Sequence, residues 1–350
     1  MNILFNLPAI LGIITAAMTC ASPLADKTTP VEKNSPVYRI MFYNAENLFD
    51  TYDDSLTADD DFTPSGNMHW TYKRYTAKLK NIYKVIVAVG TWQPPDIIGL
   101  CEIENRKILE DIAYNTPLAK YSYQIIHNNS SDRRGIDVAL LYNAQTVHYL
   151  ASKSFSIQKQ GLLTRDILYF KALLGRDTCH FLVNHWPSRS EGQLETERDR
   201  FAAASLLKHL TDSLFIRHTL AKVVIMGDFN DEPSDESLVG KLQAASDLKN
   251  PLCGRLYNLT AAPSNGAVRG TLKYQGQWNI FDQMIVSGSM LSAEEGLTIS
   301  KDGYRIFREP FLLTEDKRYN GYKPYRTYTG FSYQGGFSDH LPVYLDLISR

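Results

Sequence analysis

The chain has 350 residues, of which 44% are hydrophobic and 21% are charged, an ordinary composition for a folded globular protein. Its 37 basic and 38 acidic residues leave a net charge of -1, which argues against a protein that coats nucleic acid through a concentrated basic surface. The same balance allows an enzyme that acts on phosphates, because a bound divalent cation can supply positive charge locally.

The N-terminal segment predicts export. Residues 3–18 are apolar apart from Asn6 and Thr15, and a small, polar, proline-containing stretch follows them. The apolar run is too short for a comfortable membrane span, so it is typical of a signal peptide. The sequence A-A-M-T before Cys20 resembles a bacterial lipoprotein cleavage site, which predicts a lipid on Cys20 and a location in the cell envelope.

Cleavage after Ala21 or Ala25, which would give a soluble secreted or periplasmic protein, is the alternative. Either way we expect a signal peptide at residues 1–20, a flexible linker at 21–36 and one domain at 37–350, because no low-complexity segment interrupts that range.

Helices and strands alternate along the predicted domain. Strands are expected at Val37–Asn44, Asp96–Ile103, Tyr123–His127, Ile136–Tyr142, Ile167–Leu174, Thr178–Asn184, Val223–Asp228, Ile280–Ser287 and Leu341–Leu347. Helices are expected around Leu79 up to Gly90, near Ile108, at Leu194–Leu214 and after Pro233. Two sheets packed face to face, with helices on their outer sides, would satisfy this pattern.

Four of the predicted strands run out into residues that can bind a metal ion or a phosphate: Asn44, Glu102, Asp228 and His185. Strand ends fix the position of a side chain while the adjoining loop leaves it accessible, which is why sites form there. A buried strand end is costly for Glu102 or Asp228 unless another group pairs with the charge.

Asp228 and Asn230 lie two residues apart in G-D-F-N-D, just after an apolar strand. In an extended segment they would face the same side, so Asp228 could take the proton of a water molecule that Asn230 orients. The alternative is a turn in which both side chains bond to their own backbone.

Asp282 lies in an otherwise apolar strand, where an unpaired carboxylate would be costly. The histidine of S-D-H, His340, is a natural partner because its protonated form offsets the charge. We therefore expect Asp282 to hold His340 charged and oriented. His185 in N-H-W-P-S-R is a second candidate, with a purely structural role as the alternative; for S-D-H the alternative is a solvated loop.

Together these segments resemble the endonuclease/exonuclease/phosphatase superfamily, the deoxyribonuclease I-like proteins, over residues 37–350. The motifs occur in the family's order: Y-N-A-E-N-L-F-D, I-G-L-C-E-I-E-N, R-R-G-I-D-V-A-L-L-Y, N-H-W-P-S-R, G-D-F-N-D, F-D-Q-M-I-V-S and G-F-S-D-H-L-P-V. The chain looks most similar to predicted bacterial extracellular nucleases. The resemblance implies an α/β fold: a four-layered α/β sandwich of two mixed, mainly antiparallel sheets with helices outside.

The resemblance also implies roles for individual residues. Glu102 would be the main metal ligand, assisted by Asn44 and Asp339. Asp228 would orient or deprotonate the attacking water, Asn230 would hold water or phosphate, and His340, supported by Asp282, would bind the phosphate opposite His185. Arg134 would contact phosphate, with Asp137 anchoring its loop. Whether Asp228 or a histidine activates the water stays open. Oxygen ligands of this kind suit Mg²⁺, Mn²⁺ or Ca²⁺.

A tyrosine-rich segment near the C-terminus places Lys323 and Arg326 among aromatic residues shortly before S-D-H. Such a segment could stack bases and hold phosphates, although tyrosine-rich loops also simply pack well. The leading hypothesis is a metal-dependent phosphodiester hydrolase, an exported nuclease that acts on DNA or RNA. A phosphatase or phosphodiesterase for small-molecule or lipid-headgroup phosphate esters is the alternative, and a non-catalytic surface binding protein is a third. No protein partner is indicated.

Overall fold

The computed structural model describes residues 37–159, 161–189, 192–261 and 270–350. The signal peptide predicted at residues 1–20, the lipid on Cys20 and the linker at 21–36 lie outside these residues. Within the described part of the chain, no helix has both the length and the apolar character needed to cross a membrane.

Strands and helices alternate along the described chain. The strands are β1 Val37–Leu48, β2 Ile97–Ile103, β3 Tyr123–His127, β4 Asp137–Asn143, β5 Val147–Phe155, β6 Ile167–Leu174, β7 Asp177–His185, β8 Lys222–Asp228, β9 Ala244–Ala245, β10 Leu256–Asn258, β11 Leu272–Tyr274, β12 Gln277–Asn279, β13 Asp282–Ser287, β14 Leu297–Ile306, β15 Leu313–Glu315, β16 Tyr322–Pro324, β17 Tyr328–Thr329, β18 Ser332–Tyr333 and β19 Val343–Ser349. The α-helices are α1 Tyr72–Gly90, α2 Arg106–Tyr114, α3 Glu197–Arg217 and α4 Ser289–Ser292. Short helical turns lie at Asp60–Phe62, Pro117–Tyr121, Ser237–Lys241, Leu259–Ala261 and Pro310–Leu312.

Two large sheets form the body of the domain. The first has six strands in the order β14-β19-β1-β2-β4-β3, and the second has seven in the order β5-β6-β7-β8-β13-β10-β9. Most neighbouring strands are antiparallel, but β1 and β2, β7 and β8, and the short strands β9 and β10 are parallel. The prediction of two mixed, mainly antiparallel sheets is confirmed.

Alternation of side chains along the strands explains why the sheets stack with helices outside. Successive residues of a strand point to opposite faces, so Ile40 and Phe42 of β1 face the second sheet while Met41 and Tyr43 face outward. The inner cluster includes Phe170, Phe181, Val224 and Met226 from the second sheet. Helices α1 and α2 cover the outer side of the first sheet, and α3 covers the second. The four layers predicted from the sequence are therefore present.

Gly99 of β2 is where the two sheets approach each other beneath the ends of their central strands. A Cβ atom at this position would lie 2.9 Å from the Sδ atom of Met226 in β8 and 3.2 Å from the Phe42 ring. Because glycine has no side chain, Met226 occupies that space.

Some elements differ from the sequence predictions. Helix α1 ends at Gly90 as predicted. Its start at Tyr72 was not predicted, because its first turns carry little apolar periodicity. Strand β5 was not predicted, since it is an edge strand with mostly exposed side chains, and neither was β14. After Pro233 the expected helix is only the five-residue turn Ser237–Lys241.

Candidate active site

One pair of long parallel strands in each sheet, β1–β2 and β7–β8, brings four polar residues to one edge of the sandwich. Asn44 and Glu102 come from β1 and β2 of the first sheet. His185 and Asp228 are register partners at the ends of β7 and β8 in the second. Parallel strands end at the same edge of a sheet, which is why residues far apart in sequence meet here. His185 and Asp228 lie at strand ends as predicted, and Glu102 is one residue from the end of β2. Asn44 was expected at the end of its strand but lies within β1, which continues to Leu48.

Asn44 connects the two sheets within this group. It is fully buried, and its Nδ2 donates to Glu102 Oε1 at 3.2 Å and to Asp228 Oδ2 at 3.0 Å. Its Oδ1 accepts a bond from the Glu46 backbone N–H at 2.9 Å. Asn44 is thus a bridge between carboxylates of different sheets, and its ligation of a metal stays a prediction.

The backbone is strained where it carries these side chains. Glu102 lies at a bulge in β2 with a φ of 59°, and Glu46, Asn47 and Asn230 have φ values of 52°, 46° and 51°. A non-glycine residue in this left-handed region costs about 1–3 kcal/mol, and such residues cluster at functional sites. The bulge redirects Glu102, whose Oε2 accepts a bond from the Asn47 N–H at 2.7 Å.

Asp228 and Asn230 form a turn, so the extended arrangement expected from their spacing is wrong. The Asn230 N–H donates to Asp228 Oδ1 at 3.0 Å, and the Asn230 side chain donates to the Trp186 carbonyl at 3.0 Å. The turn is favoured because an Asp side chain readily accepts from the backbone two residues on. It leaves Asp228 Oδ2 directed at the other polar residues of this edge.

Two imidazoles face that same carboxylate oxygen. The Nε2 atoms of His185 and His340 are each 3.7 Å from Asp228 Oδ2. His340 Nδ1 lies 2.7 Å from Asp282 Oδ2, so the predicted pairing of these two residues is present. His185 Nε2 is also 3.8 Å from Glu102 Oε1.

Burial and charge give the two histidines different protonation states. Burial lowers the pKa of His340, but the carboxylates of Asp282 and Asp228 outweigh it and raise the pKa well above its usual value. Burial lowers the pKa of His185 well below its usual value, and nearby cationic groups lower it further. Burial raises the pKa of Asp228 to about 6 despite the positive charge of His340. At neutral pH the site therefore holds a charged His340, a neutral His185 and an ionised Asp228.

Asp339 and Arg326 lie at the border of this group. Arg326 binds Asp339 Oδ2 at 2.8 Å and Glu46 Oε1 at 3.3 Å. Burial lowers the pKa of Arg326, but Asp339, Glu46 and Glu102 together raise it above its usual value. Asp339 and Glu46 therefore contact the guanidinium directly, and Glu102 is near enough to act on it through its charge. Arg326, which was expected to contact phosphate, is engaged by carboxylates.

Sequence reasoning missed Glu46 and Lys78. Glu46 is 4% exposed, accepts a bond from the Thr327 N–H at 2.6 Å and lies 3.7 Å from Lys78 Nζ. Lys78 is itself buried in α1 and donates to the Phe337 carbonyl. A signal existed for each: Glu46 follows Asn44 by two residues, and Lys78 precedes the apolar residue Leu79 on the packed side of its helix.

Arg134 lies at the rim of the site with a side chain that is 42% exposed. Its Nη1 donates to Asn47 Oδ1 at 3.2 Å. Asp137 accepts a bond from the Ser130 N–H at 2.8 Å and pairs with His127, so it anchors the loop that carries Arg134. The loop is held next to the other predicted residues, and contact of Arg134 with a phosphate stays a prediction.

The donor atoms of this edge fit a hard divalent cation. Ligand atoms of Asp228, Asp282 and His340 lie within 4.8 Å of one another, although His340 is already bonded to Asp282. In the described residues, neither Glu102 nor Asp228 forms an ion pair with Lys or Arg. Carboxylate and amide oxygens are the ligands that suit Mg²⁺, Mn²⁺ or Ca²⁺.

The fold and site define the class of protein. The family model described as Endonuclease/Exonuclease/phosphatase family matches residues 39–349, and the chain belongs to this family. It is accordingly an enzyme of the phosphoric ester hydrolase type. A comparison with curated proteins gives no significant match.

Solved structures share the architecture. An endonuclease/exonuclease/phosphatase family protein from Bacteroides thetaiotaomicron is 14% identical, with 90% of this chain and 99% of that chain covered and a TM-score of 0.55. D. rerio TDP2 complexed with a single-strand DNA product is 14% identical, with 89% and 98% covered and a TM-score of 0.54. The mannosyl-6-phosphatase Bt3783 of B. thetaiotaomicron is 16% identical, with 89% and 99% covered and a TM-score of 0.55. At these identities the likeness establishes the fold.

Proposed function

We propose that the protein is a metal-dependent phosphodiester hydrolase that acts on nucleic acid, and that it is exported. The observation that carries the proposal is that the Nε2 atoms of His340 and His185 both lie 3.7 Å from Asp228 Oδ2, the first imidazole being charged and the second neutral. A structurally similar protein, D. rerio TDP2, has been solved with a single-strand DNA product. The signal-like residues 1–20 support export.

Asp228 orients and deprotonates the attacking water in this proposal. Its Oδ2 is held by Asn44 and is ionised at neutral pH because its pKa is about 6. A general base works best when its pKa lies near the operating pH. Asn230, fixed by the turn, borders the place where the water would lie. This favours Asp228 over either histidine as the base.

His340 stabilises the charge that develops on the phosphoryl group. Asp282 bonds Nδ1 and thereby directs Nε2, which carries a proton, towards the cleft. His185 lies on the other side of Asp228 and, being neutral, can donate to a phosphate oxygen without adding charge. Phosphoryl transfer needs mainly position and charge neutralisation, which fixed, buried donors supply.

Glu102 would hold the divalent cation, with Asn44 and Asp339 as further ligands. Magnesium is the expected ion, with Mn²⁺ or Ca²⁺ as alternatives. The ion would neutralise the phosphoryl oxygens and the leaving oxygen. To take part, Asp339 would release its contact with Arg326, and Arg326 would keep its contact with Glu46.

A phosphatase or phosphodiesterase for sugar or lipid-headgroup phosphate esters is the second candidate. A cavity next to Asn230 is lined mainly by amides and aromatic rings, groups that suit a sugar as well as a base. The fold of the B. thetaiotaomicron mannosyl-6-phosphatase is similar.

The test is to incubate the purified protein with plasmid DNA, RNA, bis(4-nitrophenyl) phosphate and 4-nitrophenyl phosphate. Each substrate is tested with magnesium, manganese, calcium and EDTA. We expect metal-dependent cleavage of a nucleic acid and of the bis-ester, lost in Asp228→Ala and kept in the control Asp247→Ala, whose side chain is exposed. Cleavage of the monoester alone would favour the second candidate, and activity in EDTA would reject the metal.

A further inference from the structure

A short hairpin, β11–β12, projects directly from the candidate active site. Its first strand forms a backbone bridge between Leu272 and His340, and the N–H of Leu341 donates to the Thr271 carbonyl at 2.7 Å. The hydroxyl of Thr271 also accepts a bond from the Asp282 N–H at 3.2 Å. The hairpin is therefore attached to both members of the Asp282–His340 pair.

The hairpin has a fixed position. Gln275 and Gly276 at its tip have φ values of 47° and 86°, the left-handed turn that matches the twist of two strands. Lys273 binds Asp316 at 2.8 Å, and both side chains are at most 5% exposed. A Cβ at Gly276 would lie 3.1 Å from the Tyr319 ring. The hairpin is thus held against the Asp316–Tyr319 loop and separates two cavities.

The first cavity, of about 750 Å³, lies on the Asn230 side and is nearly neutral. Arg189 is the charged residue among its described lining residues, and its guanidinium is bonded to Asp231 and Asp235. The remaining lining offers amides and two rings: Gln193, Asn230, Gln275, Gln277, Asn279, Tyr274 and Phe281.

The second cavity, of about 370 Å³, lies on the Asp339 side of the hairpin and is basic. Its lining has four cations, Lys273, Arg318, Lys323 and Arg326, and two carboxylates, Asp316 and Asp339, which pair with Lys273 and Arg326. Arg318 lies over the Tyr319 ring at 5.2 Å, and no ion pair with a carboxylate is found for Lys323 or Arg318 in the described residues. These two cations are therefore available to an anion.

We propose that the hairpin divides the substrate cleft by charge, so that the neutral cavity takes an unpaired nucleobase and the basic cavity takes a neighbouring phosphate of the same strand. This proposal rests on the proposed nuclease function and specifies its substrate as single-stranded. Amides can read the edge of a base only when it is not paired, and the exposed ring of Tyr274 offers a stacking surface between the cavities. Phosphates are held by cations such as Lys323 and Arg318.

The experiment compares a single-stranded hexanucleotide, its duplex and a hexanucleotide with abasic sites, all of the nucleic acid that the protein cleaves. Cleavage of bis(4-nitrophenyl) phosphate reports on the catalytic residues alone. For each variant the ratio of kcat/KM for the hexanucleotide to kcat/KM for the bis-ester is measured between 50 and 200 mM salt. These conditions separate effects on the strand from effects on the chemistry.

We expect the wild type to prefer the single strand to the duplex and to the abasic strand. Tyr274→Ala should lower the ratio about fivefold or more, whereas Tyr274→Phe should retain it because the ring remains. Lys323→Ala should flatten the slope of log kcat/KM against log salt by about 0.7, the value for one phosphate contact on a single strand. Trp92→Ala and Arg217→Ala, at exposed positions beside the opposite ends of β2 and β8, are controls that should change neither quantity.

Equal cleavage of duplex and single strand, or of abasic and intact strands, would overturn the assignment of the neutral cavity to a base. If neither Lys323→Ala nor Arg318→Ala changes the salt slope, the assignment of the basic cavity to a phosphate is overturned. Both results require a wild type that cleaves the bis-ester and a nucleic acid. A wild type that cleaves neither would instead contradict the proposed function.

Discussion

The buried centre and the rim of the cleft are built differently. The centre comprises Asn44, Glu102, His185, Asp228, Asp282 and His340, and the rim comprises the β11–β12 hairpin with Arg318 and Lys323. All the side chains of the centre except His340, which lies just before β19, come from strands of the two large sheets, and they bond one another across those sheets. The rim has strands of three residues, and Tyr274 at its tip is 65% exposed. Chemistry and substrate choice are therefore held by separate parts of the molecule, and substitutions should affect them separately.

The largest effect is expected for Asp228→Asn in the centre. Loss of the base should lower kcat about 10²–10⁴-fold on every substrate. Because burial raises the pKa of Asp228 to about 6, the ionised base is lost as the pH falls through 6, and the activity of the wild type should fall with it. Initial rates between about pH 4 and 8 check both expectations; equal activity of the variant would reject Asp228 as the base.

Next is Glu102→Gln, which tests the cation. Removal of one carboxylate ligand should weaken Mg²⁺ binding about 100-fold or more. This loss of affinity is larger than the loss caused by removing a residue that only hydrogen-bonds a metal ligand. Since a ligand stabilises the state that binds it, Mg²⁺ should raise the Tm of the wild type and not that of the variant. Glu110→Gln, on the surface of α2, is the control. If both proteins respond equally to Mg²⁺, the ion binds elsewhere.

A smaller loss, about 10–100-fold in kcat/KM, is expected for Asp282→Asn, because a partner that orients a histidine is removed rather than the histidine itself. The pKa of His340 should fall, since Asp282 is the main group that raises it. Activity that needs the charged imidazole is lost as the pH rises through that pKa, so the alkaline limb of the pH–rate profile should move to lower pH. His148→Gln, at an exposed position, should leave the profile unchanged. An unmoved limb in Asp282→Asn would contradict a charged His340.

The smallest effect is expected at the rim, for Gly276→Ala. An alanine there keeps a positive φ and meets the Tyr319 ring at 3.1 Å, which should cost about 1–2 kcal/mol and lower Tm by about 2–4 °C. At Gly330 the φ is 56° and no atom lies within 4 Å of an added Cβ, so Gly330→Ala measures the backbone strain alone. Cleavage of an oligonucleotide should fall a few-fold while the bis-ester is cleaved as before. A loss on both substrates would mean that rim and centre are not separate.

The centre was largely predictable from the sequence because burial of charge constrains it. A carboxylate in the apolar strand of Asp282 needs a partner, and His340 is that partner. Polar residues at the ends of four predicted strands indicated which edge of the sheets would carry the site. The local backbone geometry could not be predicted from the burial of charge. The bulge at Glu102 and the turn at Asn230 depend on hydrogen bonds to Asn47 and Asp228, and hydrophobic periodicity does not indicate such bonds.

The segment that carries Lys323 was expected to contact substrate, but the hairpin of the rim was not predicted, for a different physical reason. A strand of three residues has no measurable periodicity, and amides such as Gln275 and Gln277 are typical of any exposed loop. The buried pair of Lys78 and Glu46 was missed because a lysine on an amphipathic helix is normally solvated. Such features follow from tertiary contacts, which a single sequence does not display.

Because Gly99 has no side chain, packing in the core sets the distance between the residues of the centre in the first sheet and those in the second. Glu102 follows Gly99 by three residues and Asp228 follows Met226 by two, so the contact between glycine and methionine governs how near the two carboxylates come. A methyl group there would have to push Met226 aside, and displacements well under an ångström already matter to reacting atoms. Turnover can therefore be retuned from a position that touches neither solvent nor ligand.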